Sequence, residues 1–278
     1  MKKTIAALLL STSTFTVNAV EHTPNATLRD IANQLNSRYL DTQQCPDGKA
    51  DYYCNGVLVR VAATLKTSQG ERERDAASFT YLRADTGVAK LFSPDAGIVL
   101  NTLPSDNPPS IKLRCSFPTN AATDSRPDGC GQTTRELPGY ELEWSRHCDQ
   151  QGIQDGQGWL EHFNKVKPAY FYMCGFRESA KQFSLSIEVR KLLPTSYRPD
   201  WNEVVTTAWA DKNIKDIPFQ AFFYNQANLA GRDNAKKLQM DLYEIKQKIL
   251  PIVRINLLAE DQRIFSFHEE DQTYIPLQ

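Results

Sequence analysis

Arg60 is the residue whose position in the sequence most needs a chemical explanation. It lies in the apolar run Val-Leu-Val-Arg-Val over 57–61, which has the composition of a buried strand. Because an isolated guanidinium is very costly to bury, an arginine at this position predicts an anionic partner. That partner is either a structural carboxylate or the phosphate of a ligand, and both bind a guanidinium through paired hydrogen bonds.

A second set of polar side chains lies on the next apolar segment. Ser78 and Thr80 alternate with aromatic residues, so on an extended strand both side chains point to one face. Arg83 ends the same segment, two residues before Asp85. These side chains either form the solvated face of a sheet or line a site for a polar substrate.

Glu141 and Glu143 form a third candidate group. They flank Leu142, and on an extended chain both carboxylates face the same way. Neighbouring carboxylates raise each other's pKa, a property that acid–base and oxocarbenium-forming reactions use. A solvated strand edge accounts for the pair equally well.

Several signatures of other enzyme classes are missing from the sequence. It has no G-x-S-x-G segment, Walker loop, glycine-rich dinucleotide fingerprint or H-E-x-x-H pair. No Cys-x-x-Cys occurs, and neither His147 nor His268 has partners at the spacing of a zinc site, so we expect no metal centre. A hydrolase that uses His147 or His162 as its base is an alternative, although neither has a nucleophile at a recognisable spacing.

The N-terminus has the three parts of a signal peptide. Two lysines precede the apolar run 5–10, and Val-Asn-Ala at 17–19 supplies small residues for cleavage. The run is too short to span a bilayer, so we expect a signal peptide at 1–19 and no membrane insertion after its removal. The rest, 20–278, is predicted to be one domain, secreted or periplasmic. The net charge of −1 gives no electrostatic reason to bind nucleic acid or anionic lipid.

The cysteines of the predicted mature chain are even in number. An exported protein meets an oxidising compartment, so all six cysteines are expected to form disulfides. Many pairings are open to six cysteines. Pairing of sequence neighbours is favoured because each bond would close a local, turn-rich segment. The predicted pairs are Cys45 with Cys54, Cys115 with Cys130, and Cys148 with Cys174.

Hydrophobic periodicity predicts an α+β protein with a mixed antiparallel sheet core, peripheral helices and stabilising disulfides. Alternating or β-branched runs indicate strands. They lie at 56–62, 78–82, 96–101, 111–117, 183–189 and 252–257. Apolar stripes with capping or stop residues indicate helices. They lie at 27–39, 159–166, 200–209 and 233–249.

Several segments resemble the halovibrin family of secreted bacterial proteins. They are Cys-Asn-Gly-Val-Leu-Val-Arg at 54–60, Ala-Ser-Phe-Thr-Tyr-Leu-Arg at 77–83, Cys-Ser-Phe-Pro at 115–118, Gly-Cys-Gly at 129–131, Cys-Gly-Phe at 174–176, Trp-Asn-Glu at 201–203 and Pro-Ile-Val-Arg at 251–254. The resemblance covers most of the mature chain. It implies an exported enzyme that acts on NAD, as an NAD glycohydrolase or an ADP-ribosyltransferase, with NAD as substrate and no further cofactor.

The resemblance also implies roles for the polar residues. Many ADP-ribosylating toxins combine an arginine that ends one strand, an S-x-S-type strand and a Glu-x-Glu turn, and the candidates occur here in that order. Glu143, Glu141 and Ser78 would be catalytic. Arg60, Thr80 and Arg83 would bind the substrate, with or without a protein acceptor. We therefore expect Arg60 and Ser78 to face one concave surface, with a glutamate within roughly 8 Å of both, the scale of a ribose between catalytic groups.

A non-catalytic secreted module that binds a protein or a glycan is the alternative function. Its basis is the set of four tryptophans, which would form an aromatic surface if they were exposed. They are Trp144, Trp159, Trp201 and Trp209. Burial of these side chains in the core would remove the basis for this alternative.

Overall fold

The structure is a computed structural model. It describes residues 25–46, 49–91, 96–102, 111–131, 148, 152–166, 175–193 and 201–273. The predicted signal peptide at 1–19 lies outside these residues, as do Glu141, Glu143, Trp144, His147 and Cys174. No helix in the described parts of the chain is long and apolar enough to cross a membrane.

The described strands form one open sheet in the order β5-β4-β6-β2-β1-β3-β7-β8-β9. Neighbouring strands are antiparallel except β7 and β8, which are parallel. The strands are β1 Val57–Val61, β2 Ala77–Leu82, β3 Ala96–Leu100, β4 Leu113–Phe117, β5 Phe176–Arg177, β6 Glu203–Thr206, β7 Phe219–Asn225, β8 Ile252–Ile255 and β9 Phe265–Phe267. This mostly antiparallel sheet with few helices confirms the predicted α+β class.

Five α-helices accompany the sheet in the described residues. They are α1 Asn25–Leu40, α2 Gln69–Arg74, α3 Gly156–Val166, α4 Ala180–Leu192 and α5 Ala230–Lys246. The predicted helices at 27–39, 159–166 and 233–249 are confirmed as α1, α3 and α5. Five of the six predicted strands are confirmed as well, as β1 to β4 and β8.

Side-chain alternation along β1 and β2 creates two apolar layers. Leu58, Phe79 and Tyr81 point to one side of the sheet, where they pack in a core that includes residues of α4 and α5. Val59 and Leu82 point to the other side, where they pack with residues of α1. We call these sides the α5 face and the α1 face. Each side chain of the candidate site therefore belongs to one of two separate surfaces.

The predicted strand at 183–189 is wrong, because this segment is the middle of helix α4. Its alternating apolar residues from Phe183 to Val189 are all buried, and so are Ser186 and Arg190. A helix that is buried on much of its circumference does not need a narrow apolar stripe. Ser179 caps the helix by accepting a hydrogen bond from the backbone N–H of Gln182 at 3.1 Å.

The predicted helix at 200–209 is also wrong, because residues 203–206 form strand β6. Asp200 and Glu203 have the spacing of a capping box, but the Glu203 carboxylate accepts hydrogen bonds from distant residues instead. Val204 and Val205 are both buried, one on each face of the sheet. Consecutive β-branched residues that are buried on both sides favour a strand over a helix.

Two of the predicted disulfides are confirmed. Cys45 is bonded to Cys54, and Cys115 to Cys130, with Cα atoms 5.6 and 6.0 Å apart. Cys148 is also disulfide-bonded, whereas its predicted partner lies outside the described residues. The bond from Cys115 ties strand β4 to the loop that leads to 131, which covers part of the candidate site.

Candidate functional site

Ser78 and Glu203 meet on the α1 face of the sheet. Strand β2 is paired with β6, and Ser78 is opposite Val205, so Glu203 is a diagonal neighbour. The Ser78 Oγ hydroxyl donates to Glu203 Oε1 at 3.2 Å. The backbone N–H of Ala121 donates to Oε2 at 2.7 Å, and Thr123 Oγ lies 3.4 Å from Oε1. One carboxylate thus joins two strands and a loop.

The Glu203 carboxylate is almost completely buried. The residue is 7% exposed, and burial raises the pKa of its carboxyl above the ordinary value, although the hydrogen bonds and the nearby Arg126 oppose this shift. The Arg126 guanidinium is itself 1% exposed and lies 4.8 Å from the centre of the Phe117 ring. A carboxyl and a guanidinium therefore share a region from which water is largely excluded.

The loop over Glu203 has a strained backbone. Ala122 has φ 50° and ψ 50°, a left-handed conformation that alanine rarely adopts. Such a residue costs on the order of 1 kcal/mol and persists only where its surroundings hold it. Here the N–H of Ala122 binds Asn120 Oδ1 at 3.0 Å, and the Arg126 Nε donates to the Ala121 carbonyl at 3.1 Å. These contacts hold the N–H of Ala121 in place against the Glu203 carboxylate.

Arg60 has a carboxylate partner. Its Nη1 and Nη2 lie 2.7 and 2.8 Å from the two carboxylate oxygens of Glu71, and the pair is mostly buried. Its Nη1 also donates to the Ser78 carbonyl at 3.3 Å, and the guanidinium lies 5.7 Å from the Trp209 ring. The sequence left open whether the anionic partner of Arg60 is a structural carboxylate or a ligand phosphate. In the structure it is a carboxylate, that of Glu71. A role for Arg60 in substrate binding stays a prediction.

Arg60 and Ser78 do not face a common surface. The register places Leu58 opposite Tyr81 and Val59 opposite Thr80, so Arg60 belongs to the α5 face with Phe79. Ser78 and Thr80 belong to the α1 face. The expected convergence of the Arg60 and Ser78 side chains is therefore wrong, although Thr80 does share the face of Ser78.

Arg83 is fixed by two ion pairs. Its Nη1 lies 2.8 Å from Asp51 Oδ2, and its Nε lies 2.7 Å from Asp85 Oδ1. Burial alone would lower the pKa of this guanidinium, but Tyr81 and the two carboxylates raise it above its ordinary value. Arg83 lies beside a cleft of about 490 Å³ next to α4, lined also by Lys49 and other residues. This cleft is separate from Ser78 and Glu203.

The remaining sequence candidates are only partly described. Trp159 and Trp209 are buried and Trp201 is half-buried, so at least two of the four tryptophans offer no binding surface. Glu141 and Glu143 lie outside the described residues, and their catalytic roles stay predictions. Within the described ranges, no group of three His, Cys, Asp or Glu residues is placed to hold a metal ion.

Glu203 is the site residue that sequence analysis missed as a functional group. The capping-box pattern assigned its carboxylate to a local helix start. The run Val-Val-Thr that follows it was the available signal, because it favours a strand that begins at Glu203. A glutamate at the start of a buried strand needs hydrogen-bond donors, as Arg60 needs an acceptor.

Replacing Glu71 with glutamine is expected to lower the free energy of unfolding by about 2 kcal/mol at neutral pH, the scale of a hydrogen bond to a charged group. Burial would raise the pKa of the Glu71 carboxyl, but Arg60 and Ser68 hold it below 4.5. A lowered pKa adds stability above pH 4.5, and this stability is lost as the pH falls through the folded-state pKa. Urea unfolding at several pH values measures the loss.

The matched control is Glu73→Gln on the same helix, which removes an exposed carboxylate bonded only to Gln69 among the described residues. Its effect should be within about 0.5 kcal/mol at every pH. A Glu71→Gln loss that stays constant into acid would contradict the ion-pair explanation.

Glu203 should show the opposite pH dependence. Because burial raises its pKa in the folded state, it contributes stability that is present below pH 4.5 and lost as the pH rises through the folded-state pKa. The Glu203→Gln variant lacks this ionisable group, so its unfolding free energy carries no contribution from it to the pH dependence. The unfolding free energy of the original protein, minus that of the variant, should therefore fall from pH 4.5 towards neutral pH. A difference that rises instead would show that the hydrogen bonds outweigh burial.

No protein-family model matches the sequence, and a search of the curated proteins finds no significant match.

Proposed function

We propose that the protein is an exported, NAD-consuming enzyme that cleaves the bond between nicotinamide and ribose. The observation that carries this proposal is the hydrogen bond from Ser78 to the buried Glu203 carboxylate. The resemblance to the halovibrin family adds support, since Ser78 and Glu203 lie in the segments 77–83 and 201–203 that carry it. Disulfides at Cys45–Cys54 and Cys115–Cys130 are typical of proteins outside the cytoplasm, in line with export.

The chemistry of the reaction favours a carboxylate in such a setting. When the nicotinamide bond breaks, positive charge develops on the ribose, and a nearby carboxylate stabilises it. The attraction is stronger where water is excluded, because the effective dielectric constant is lower. Glu203 is held by the N–H of Ala121 and the hydroxyl of Ser78, so little reorganisation is needed when the charge appears.

Ser78 and Thr80 complete the proposed site. Both lie on the α1 face, and Ser78 is half-buried, so its hydroxyl can orient the carboxylate and also bind a ribose hydroxyl. In this assignment Glu203 is a catalytic carboxylate in addition to the predicted Glu141 and Glu143. Those two glutamates stay as predicted contributors to the same reaction.

Release of nicotinamide tests the proposed function directly. The oxidised mature chain, residues 20–278, is incubated with NAD, and free nicotinamide is quantified by chromatography. We expect release well above that of a heat-treated, reduced sample. The assay is repeated with protein acceptors, since an ADP-ribosyltransferase releases more nicotinamide when an acceptor is present. No release under either condition contradicts the proposal.

A further inference from the structure

A second cluster of reactive side chains lies at the far edge of the sheet. Ser266 is in the middle of β9, and His268 and Glu270 follow it at intervals of two residues. The His268 Nε2 lies 3.2 Å from Ser266 Oγ, and the His268 Nδ1 lies 3.4 Å from Glu270 Oε1. A serine at one ring nitrogen and a carboxylate at the other is the arrangement that activates a serine nucleophile.

The carboxylate of this cluster is bound by an arginine of the neighbouring strand β8. Arg254 is opposite Ser266 in the pairing of β8 with β9, and its Nη2 binds Glu270 Oε1 at 2.8 Å. The Arg254 Nε binds the fully buried Asp271 at 2.7 Å, and Asp271 also accepts from the Tyr224 hydroxyl at 2.9 Å. Glu270 is itself exposed, and Arg254 links it to the buried Asp271.

This arrangement favours one form of the imidazole. The pKa of the Glu270 carboxyl is lowered by a backbone hydrogen bond, and further by His268 and Arg254, so the group is ionised at neutral pH. A negative charge 3.4 Å from Nδ1 favours the tautomer of His268 that carries its hydrogen on that nitrogen. The lone pair on Nε2 then faces the Ser266 hydroxyl, as a general base must.

A cleft gives small molecules access to the cluster. It has a volume of about 660 Å³ and lies between α1 and β9, with Ser266 and His268 in its lining. Asn33 and the half-buried ring of Phe267 also line it. The arginine of this cleft on α1, Arg29, is paired with Glu269 at 2.5 Å. The lining also carries the charged residues Asp261, Arg263, Glu269 and Glu270. Its apolar part, Ala32, Phe265 and Phe267, is large enough only for a small acyl group.

The cleft is distinct from the site of the proposed NAD reaction. Four strands separate β2, which carries Ser78, from β9. At about 4.8 Å per strand, the two sites are roughly 24 Å apart. The Ser266 cluster therefore shares no side chain with the Ser78–Glu203 site.

We propose that Ser266 is the nucleophile of a second activity, the hydrolysis of short-chain carboxylic esters. Ser266 Oγ attacks the ester carbonyl carbon while its proton moves to His268 Nε2. The bond from the carbonyl carbon to the alkoxy oxygen then breaks, and the leaving alcohol takes that proton. Water attacks the acyl-serine with His268 again as base, which releases the acid and restores the hydroxyl of Ser266. Glu270 orients the ring and stabilises its charged form.

Covalent labelling with a fluorophosphonate tests the nucleophile. The oxidised full-length mature protein is treated with the reagent, and the modified peptide is identified by mass spectrometry. We expect a single adduct on Ser266, absent from the Ser266→Ala variant and slowed at least about 100-fold in His268→Gln, the scale of a lost general base. Ser37→Ala is the matched control, because Ser37 is exposed on α1. It should label as the original protein does.

Turnover supplies the second readout. Hydrolysis of p-nitrophenyl acetate should fall at least about 100-fold in kcat/KM in Ser266→Ala and stay unchanged in Ser37→Ala. Labelling elsewhere than Ser266, or equal turnover by Ser266→Ala, overturns the proposal. Nicotinamide release should be unaffected in Ser266→Ala, so failure at this cleft is distinguishable from failure of the NAD reaction.

Discussion

Replacing Arg83 with methionine is expected to lower the free energy of unfolding by about 4 kcal/mol, the range for removing one partner of a buried ion pair. Both Arg83 and Asp51 are about 2% exposed. Methionine replaces most of the apolar stem, so the loss reports the guanidinium rather than a large cavity.

The cost arises mainly at Asp51. In the variant, Asp85 keeps Lys191, whose Nζ lies 2.5 Å from it. Asp51 keeps only the backbone N–H of Cys45, at 3.2 Å, among its hydrogen bonds to described residues other than Arg83. A buried carboxylate left with one neutral donor is strongly destabilising. Adding Asp51→Asn should therefore recover part of the loss.

Arg29→Met is the matched control for Arg83→Met. The Arg29 side chain is 59% exposed and pairs with an exposed glutamate, so its loss should cost less than about 1 kcal/mol. Urea unfolding followed by circular dichroism measures both variants. Equal losses for the two, or no recovery with Asp51→Asn, would contradict the assignment of Arg83 to a buried structural network.

The sequence predicts those elements whose local pattern matches their environment. Helix α5 has one apolar face, with Leu238 and Leu242 buried. Its helical period can therefore be recognised in the sequence. Helix α4 is buried on more than one side, so its apolar residues also fit a period of two. Periodicity alone does not distinguish α4 from a strand, because the pattern of apolar residues depends on what packs around the element.

The candidate site was harder to predict because it depends on pairing between distant segments. Ser78 and Glu203 are 125 residues apart in sequence. Whether Arg60 shares a face with Ser78 depends on the register of β1 and β2. A shift of one residue would exchange the faces of every side chain on one strand. No local pattern specifies that register, although the anionic partner of Arg60 was correctly expected on energetic grounds.

Replacing Glu203 with glutamine should have the largest effect on activity. The amide keeps the size of the side chain and can still accept a hydrogen bond from Ala121, so the fold should be maintained. It cannot supply the negative charge that stabilises a developing oxocarbenium ion. Removal of one oxyanion-hole donor, another group that stabilises transition-state charge, costs about 100-fold to 1000-fold in kcat, and we expect a loss of this scale. Ser78→Ala removes only one hydrogen-bond donor to the carboxylate, so it should lower kcat by a smaller factor.

The rate of nicotinamide release by Glu203→Gln, compared with that of Glu73→Gln, is the most direct test of the Ser78–Glu203 site. Glu73 is exposed on α2 and has no part in the site. We predict a kcat at least about 100-fold below that of the original protein for Glu203→Gln, with Glu73→Gln unchanged. Nicotinamide release at the original rate by a folded Glu203→Gln variant would contradict the assignment of Glu203 as the catalytic carboxylate.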